Sequence, residues 1–199
     1  MINSTHRPSK SKAKQLTPAM ALKATVFKAS LNVADTDRHY YQDHALTIAR
    51  HPSENDVRMM ARLAVYSLNA DEQLSFTKGI STDDEPDLWI KDYSDTIEHW
   101  IELGQPDEKR IRQACARAEK VSVYCYSGHS AEIWWQQMAP QLQRFEHLSV
   151  INLDSTAIEQ LANLAKRSME LSAFIQDGSL TLSDGEASVD IHQNVWKSA

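Results

Sequence analysis

The chain has 199 residues, 42% of them hydrophobic and 24% charged, with a formal net charge of −6. This composition is typical of a soluble protein with one sizeable core, and no apolar run approaches the length of a membrane span. The N-terminus has no apolar signal-peptide core, so we expect a cytoplasmic protein with no membrane association. Cys115 and Cys125 lie in apolar contexts, which favours reduced, buried thiols.

The negative charge is unevenly distributed. The first twenty residues contain four basic and no acidic side chains, which leaves a net charge of −10 for the rest. A body this acidic is no general nucleic-acid binder, because non-specific affinity comes from neutralising phosphates. Nucleic acid could still bind locally, through a metal and a basic patch. Residues 1–19 read as a disordered basic tail, with Met20 an alternative start, and residues 20–197 as one domain.

Alternating apolar and polar residues predict strands over 21–33 and 39–49. Ser53 is the expected N-cap of a helix over 53–69, followed by a strand near 74–80. After residue 106, a helix over 107–119, a strand over 121–126 and further helix–strand alternation predict parallel neighbours in a sheet. Asp177-Gly178 and Asp184-Gly185 predict two tight turns and a meander, with Ile175 opposite Leu180 and Leu182 opposite Ala187.

An acidic hairpin lies between these regions, with strands predicted over 87–91 and 96–103. In an antiparallel register centred between Ser94 and Asp95, three opposed pairs share one side of the sheet. These pairs are Lys91 with Glu98, Trp89 with Trp100, and Asp87 with Glu102. Opposed carboxylates about 5 Å apart destabilise the hairpin unless a cation lies between them. The pattern therefore predicts a Mg²⁺ site, because hard cations take carboxylate, phosphate and water oxygens.

A plainer interpretation stays open, because most acidic strand faces are simply solvated. A register slip of one residue would also send the two carboxylates to opposite faces. The sequence has no HExxH motif for zinc, no GxGxxG and no Walker loop. The segment Ser127-Gly128-His129-Ser130 contains a nucleophile and a base, but a helix N-terminus explains it equally well.

The helix predicted over 107–119 presents a basic face close behind Glu102. Such faces are usually just solvated. Here the helix begins five residues after Glu102, so Arg110 and Arg112 are candidates for contacting a substrate phosphate. Trp89 and Trp100 are candidates for contacting the rest of the substrate.

Several segments together resemble the YaeQ family of bacterial proteins. They are MALKATVFKASLNVAD from Met20, ARHPSENDVRMMARL from Ala49, DDEPDLW from Asp83 and HWIELGQPDEKRIRQAC from His99. The resemblance spans residues 20–197. It implies an α/β fold with a mixed sheet, a PD-(D/E)xK restriction-endonuclease-like core and extra antiparallel strands at the termini. That core consists of a helix, a three-stranded meander, a helix and a further strand.

The resemblance assigns the motif residue by residue. Pro86-Asp87 corresponds to the PD element and Glu102 to the second acid, but Gly104 stands where a lysine is normal. Lys109, one turn into the next helix, is the first candidate for a relocated lysine. Glu54, at the start of the first helix, is a candidate third carboxylate.

Two functions follow as hypotheses. The first is Mg²⁺-dependent phosphodiester hydrolysis, with Asp87, Glu102 and Lys109 as catalytic residues and Glu54 as an additional metal ligand. The second is a nuclease-fold protein that has lost catalysis and binds nucleic acid or a protein partner.

Overall fold

A computed structural model describes residues 24–77 and 84–199. The predicted tail at 1–19 and the end of the strand predicted near 74–80 lie outside these ranges. The described strands are β1 (Thr25–Asp35), β2 (Tyr40–Arg50), β3 (Ser75–Phe76), β4 (Leu88–Lys91), β5 (Ile97–Leu103), β6 (Ala118–Cys125), β7 (Leu148–Leu153), β8 (Ser168–Gln176), β9 (Ser179–Ser183), β10 (Ser188–Ile191) and β11 (Gln193–Lys197). The described helices are α1 (Asp56–Leu68), α2 (Glu108–Arg117), α3 (His129–Leu142) and α4 (Ser155–Leu161), with a 3-10 turn at Ala162–Leu164.

The strands form two mixed sheets, which we call sheet I and sheet II. Sheet I has the order β10-β9-β8-β1-β2, and sheet II the order β11-β7-β6-β5-β4-β3. The prediction of a mixed α/β chain is confirmed. The strands near the two termini also pair with each other, because β1 lies parallel to β8 in sheet I. The chain then passes directly from β10 in sheet I to β11 in sheet II, so its C-terminal segment joins the two sheets.

Helix α1 lies between the two sheets. Its nine consecutive residues Met59–Ser67 are all buried, and the apolar ones among them belong to a core that includes side chains from both sheets. A helix buried on every side is expected when both of its flanks meet a sheet rather than solvent. Asn55 caps the helix by accepting the Arg58 N–H, so the prediction that Ser53 is the cap was wrong. Ser53 instead pairs its hydroxyl with the His51 ring.

A second core lies on the opposite face of sheet II, under α2 and α3. Alternate residues of β6, Val121, Val123 and Cys125, face this core, whereas Tyr124 belongs to the core around α1. Burial raises the pKa of Cys125 to about 12, so its thiol stays protonated at neutral pH. None of the helices in the described ranges is long and apolar enough to cross a membrane.

Two predicted registers need correction. A β-bulge follows Ile90, so Lys91 lies opposite Ile97 rather than Glu98. The extra residue also turns Ile97 toward the core under α2. The turn after β9 has four residues rather than two, because Ser183 pairs with Ser188. The Asp184 carboxylate accepts two successive N–H groups within this turn, at 186 and 187. Leu182 therefore lies opposite Val189, whereas the predicted pairing of Ile175 with Leu180 is confirmed.

His99 is a buried histidine in β5, and its Nε2 lies 2.8 Å from the Ser122 hydroxyl. Burial, together with the nearby charge of Lys120, lowers the pKa of His99 to about 3. An unfolded histidine takes up its proton near pH 6.5. The native state therefore loses stability as the pH falls below that value, by about 1.4 kcal/mol per pH unit.

We predict that His99→Gln removes this contribution. The difference in unfolding free energy between wild type and variant should shrink by about 1.4 kcal/mol per unit from about pH 6 to 4.5. Urea unfolding at several pH values measures it. His129→Gln, a change at an exposed histidine, should leave the pH dependence as in the wild type. Parallel curves for wild type and His99→Gln would contradict the prediction.

Candidate functional site

The two predicted acidic residues lie at one edge of sheet II. The parallel strands β5, β6 and β7 end at this edge, and the antiparallel strand β4 begins there. Asp87 directly precedes β4, and Glu102 is the last residue but one of β5. The carboxyl ends of parallel strands are the usual position of ligand sites in such sheets. The predicted pairing of Trp89 with Trp100, which fixes this arrangement, is confirmed.

Asp87 is held between a strand and a helix. Its Oδ2 accepts the Leu103 N–H at 2.8 Å, and its Oδ1 accepts Nη2 of Arg58, from α1, at 2.6 Å. The Asp87 N–H bonds to the carbonyl of Ile101, so the ladder departs from the regular register here. Asp87 is therefore near Glu102 without forming a regular opposed pair with it.

Glu102 is bound from the opposite side of the sheet. Its Oε1 accepts the Trp100 indole N–H at 2.8 Å and lies 2.8 Å from Nε of Arg110, on α2. Burial raises the pKa of Glu102, and the nearby charge of Asp87 adds to the rise. Arg110 and the indole N–H oppose that shift, because both stabilise the ionised carboxylate. The two acids thus interact electrostatically while each contacts a different arginine.

Glu54, the third predicted carboxylate, is bound mainly by Arg62. The guanidinium of Arg62 donates two hydrogen bonds, of 2.8 and 2.7 Å, to the two oxygens of Glu54. Both side chains are almost fully buried. Paired burial of this kind needs such two-point geometry, since an isolated buried charge is costly.

Arg58 connects Glu54 to Asp87. Its Nε lies 3.9 Å from Glu54 and its Nη2 lies 2.6 Å from Asp87. Burial alone would lower the pKa of Arg58, but Asp87, Tyr126 and Glu54 together raise it above the usual value. Arg58 is therefore a permanent cation between two carboxylates.

The other predicted residues are divided between surface and interior. Lys109 is exposed on α2, and Arg112 is half exposed and 3.5 Å from Glu108. Trp100 is only 2% exposed, so its ring cannot receive a substrate base. Trp89 is partly exposed, with the Lys91 ammonium 4.0 Å from its ring centre. Of the predicted basic residues, Arg110 reaches the acidic pair.

Gly104, where the resemblance to a PD-(D/E)xK motif led us to expect a lysine, has a conformational role. Its φ is +100°, a value that side-chain-bearing residues rarely adopt, and its N–H bonds to the Tyr124 carbonyl at 2.8 Å. The chain thus turns sharply directly after β5. A lysine at this position would strain the backbone.

Sequence reasoning missed the two basic groups that bind the acids from α1, Arg58 and Arg62. One signal was available, because Arg58 follows Glu54 by four residues, the spacing of an ion pair on one helix face. Within residues 24–77 and 84–199, no three His, Cys, Asp or Glu side chains are grouped closely enough to hold a metal ion as they stand. The carboxylates at this edge are grouped around guanidinium ions instead.

Comparison with known proteins assigns this chain to a family. Residues 20–193 match the family model described as YaeQ protein. The chain belongs to the YaeQ family. It is 48% identical to "Uncharacterized protein YaeQ" of Salmonella typhi and 46% identical to that of Escherichia coli K12. Each similarity extends over 178 residues, which is 89% of this chain and 98% of the relative.

Solved structures of YaeQ proteins have the same fold. The crystal structure of YaeQ protein from Xanthomonas axonopodis pv. citri superposes with a TM-score of 0.86 at 45% identity, over 88% of this chain and 99% of the other. The structure from Pseudomonas syringae gives a TM-score of 0.84 at 32% identity, over 88% and 97%. The expected resemblance to the YaeQ family is thereby confirmed.

We predict that restoring a lysine at residue 104 destabilises the protein. Gly104→Lys should lower the unfolding free energy by about 1–3 kcal/mol, because a side chain is disfavoured at that φ. Gln105→Lys adds the same charge at the exposed neighbouring residue and should change stability by less than about 0.5 kcal/mol. Urea unfolding compares the two. Equal stability of both variants would show that the backbone at 104 is not the constraint.

Proposed function

We propose that this YaeQ protein is a divalent-metal-dependent phosphodiesterase that acts on nucleic acid, with Asp87 and Glu102 as metal ligands. One observation carries the proposal. Two carboxylates from adjacent strands lie at the carboxyl edge of a sheet, each already bound to a positive charge. Such an arrangement is suited to holding a cation against a phosphate.

The order of elements around these residues supports the proposal. Helix α1 is followed by the antiparallel strands β3, β4 and β5, then by α2, and then by β6 parallel to β5. This is the order expected of a PD-(D/E)xK core. Asp87 directly precedes the second of these strands, and Glu102 lies in the third. The likeness is one of arrangement, and activity has to be argued from the side chains.

The donor atoms suit Mg²⁺ in type, because carboxylate oxygens are among the ligands that hard cations prefer. Asp87 and Glu54 already contact one cation, the guanidinium of Arg58, which a metal would have to replace. When bound, Mg²⁺ would neutralise phosphate charge and make an attacking water more acidic. Asp87 and Glu102 would be its principal ligands, with Glu54 the third carboxylate.

The protein also orients its acids. The Leu103 amide holds one oxygen of Asp87, and the Trp100 indole holds an oxygen of Glu102. Both donors are neutral and come from β5, so they fix the carboxylates without adding charge. Rigid support of this kind is what preorganised sites need.

Substrate phosphates would meet the basic start of α2. Lys109, Arg110 and Arg112 are consecutive or nearly consecutive on this helix, and Arg110 contacts Glu102. Because the body is acidic overall, we expect contact with nucleic acid to be confined to this region and to depend on salt. Lys109 remains a candidate for stabilising phosphate charge, and Lys109→Ala should slow hydrolysis without weakening metal binding. Trp89 is the aromatic ring available for a base.

A binding protein without catalysis is the second candidate function. The observation that favours it is the pairing of all three carboxylates with arginines, combined with Gly104 in place of the lysine. In this case the acids are structural, and partner binding relies on the exposed basic residues of α2. Magnesium would then neither bind nor stabilise the protein.

We predict that Mg²⁺ or Mn²⁺ raises the melting temperature of the wild-type protein. A metal concentration of about 100 times Kd adds about 2.7 kcal/mol, which corresponds to several degrees for a chain of this size. The metal-induced increment should vanish in Asp87→Asn and Glu102→Gln. Thermal denaturation with and without metal measures it, alongside cleavage assays on single- and double-stranded DNA and RNA.

The increment, rather than the absolute melting temperature, is the informative quantity, because each variant also leaves an arginine without its ion pair. Glu98→Gln is the matched control, since it removes one negative charge from an exposed position of the same strand. Its increment should equal that of the wild type. A wild-type protein that gains nothing from metal and cleaves no nucleic acid would favour the binding-protein alternative.

A further inference from the structure

Two arginines separate the acidic pair from solvent. The carboxylates of Asp87 and Glu102 are 4% and 5% exposed, whereas Arg58 and Arg110 are 22% and 27% exposed. The guanidinium groups are thus the outer layer of the site.

The two arginines also cross-link the site. Arg58 binds Asp87 and donates to the carbonyl of Leu103, the residue after Glu102, at 3.4 Å. Arg110 binds Glu102 and donates to the carbonyl of Glu85, two residues before Asp87, at 2.7 Å. Each arginine therefore contacts one acid and the backbone beside the other acid. They come from different helices, α1 and α2, so they close the site from both faces of the sheet.

Resting on the function proposed above, we propose that Arg58 and Arg110 form a metal-displaced latch and become phosphate ligands once displaced. In the structure, Arg58 is ion-paired with Asp87 and Arg110 with Glu102. A divalent cation competes with them for the same oxygens. The released guanidinium groups stay attached to α1 and α2 beside the metal, where a phosphodiester can accept their hydrogen bonds.

The net charge of the site explains why metal binding would favour phosphate binding. Two acids and two arginines are neutral together, and a divalent cation makes the group net positive by two charges. That excess is placed to attract a phosphodiester anion, and guanidinium matches phosphate with two parallel hydrogen bonds. Metal and nucleic acid should therefore bind cooperatively, each raising the affinity of the other. Arg58 and Arg110 would then stabilise the phosphate charge, a role that Gly104 cannot perform.

The first test measures Mg²⁺ binding alone by calorimetry. Arg58→Gln and Arg110→Gln should each bind Mg²⁺ about tenfold more tightly than the wild type, because the competing cation is gone. Arg144→Gln is the control, since it removes the same charge from an exposed residue just after α3 and should leave metal affinity unchanged. Arg110→Lys keeps a charge without the two-point geometry and should give an intermediate affinity, which covers a failure of the Gln variants to fold.

The second test measures binding of a short, fluorescently labelled DNA strand by anisotropy, with Ca²⁺ as the cation. Arg58→Gln and Arg110→Gln should bind the strand at least tenfold more weakly than the wild type, while Arg144→Gln binds it normally. Loss of DNA affinity together with a gain in metal affinity is the signature of the latch. A purely structural role would weaken both.

The outcomes separate this inference from the proposed function. Opposite shifts in metal and DNA affinity with no cleavage would support the latch and overturn hydrolysis. Cleavage by the wild type with unchanged or weaker metal affinity in Arg58→Gln, Arg110→Gln and Arg110→Lys would overturn the latch and leave hydrolysis standing. Absence of Mg²⁺ binding in the wild type and in all variants would overturn both.

Discussion

The ion pair between Arg58 and Asp87 links the most enclosed helix of the protein to its candidate site. Arg58 belongs to α1, which lies between the two sheets, and Asp87 marks the start of β4. The second oxygen of Asp87 holds the last amide of β5. One carboxylate thus positions a helix and two strands. Removing one partner of such a partly buried pair typically costs about 3–5 kcal/mol, so site and scaffold cannot vary independently here.

Local patterns were sufficient for most elements of the fold. The β4–β5 hairpin could be predicted because its strands alternate and its turn is short, with the Asp92 carboxylate accepting the Ser94 and Thr96 amides. The bulge after Ile90 could not be predicted, since β5 buries apolar residues on both faces and its alternation does not reveal an extra residue. The parallel pairing of β1 with β8 joins segments more than a hundred residues apart. Alternation shows that each strand has a buried face, but not which strand lies beside it.

The candidate site was predicted from its acids and not from its bases. The predicted hairpin register sets two carboxylates against each other, and their electrostatic repulsion can be recognised from the sequence alone. The arginines that resolve it come from other elements, and Arg58 is 29 residues from Asp87 in sequence. The positions of Lys109 and Arg110 around the helix axis explain why only Arg110 contacts Glu102. One residue rotates a side chain by about 100° around the axis, so Arg110 reaches Glu102 while Lys109 points outward.

An arginine beside these carboxylates permits different chemistry from a lysine. A buried lysine can lose its proton and act as a base, whereas an arginine stays charged in proteins. The pKa of Arg58 is raised further by Asp87 despite its burial. Arg58 can therefore contribute electrostatic stabilisation and hydrogen bonds, but it cannot accept a proton. Proton transfer in any hydrolysis at this site must consequently involve a carboxylate or solvent.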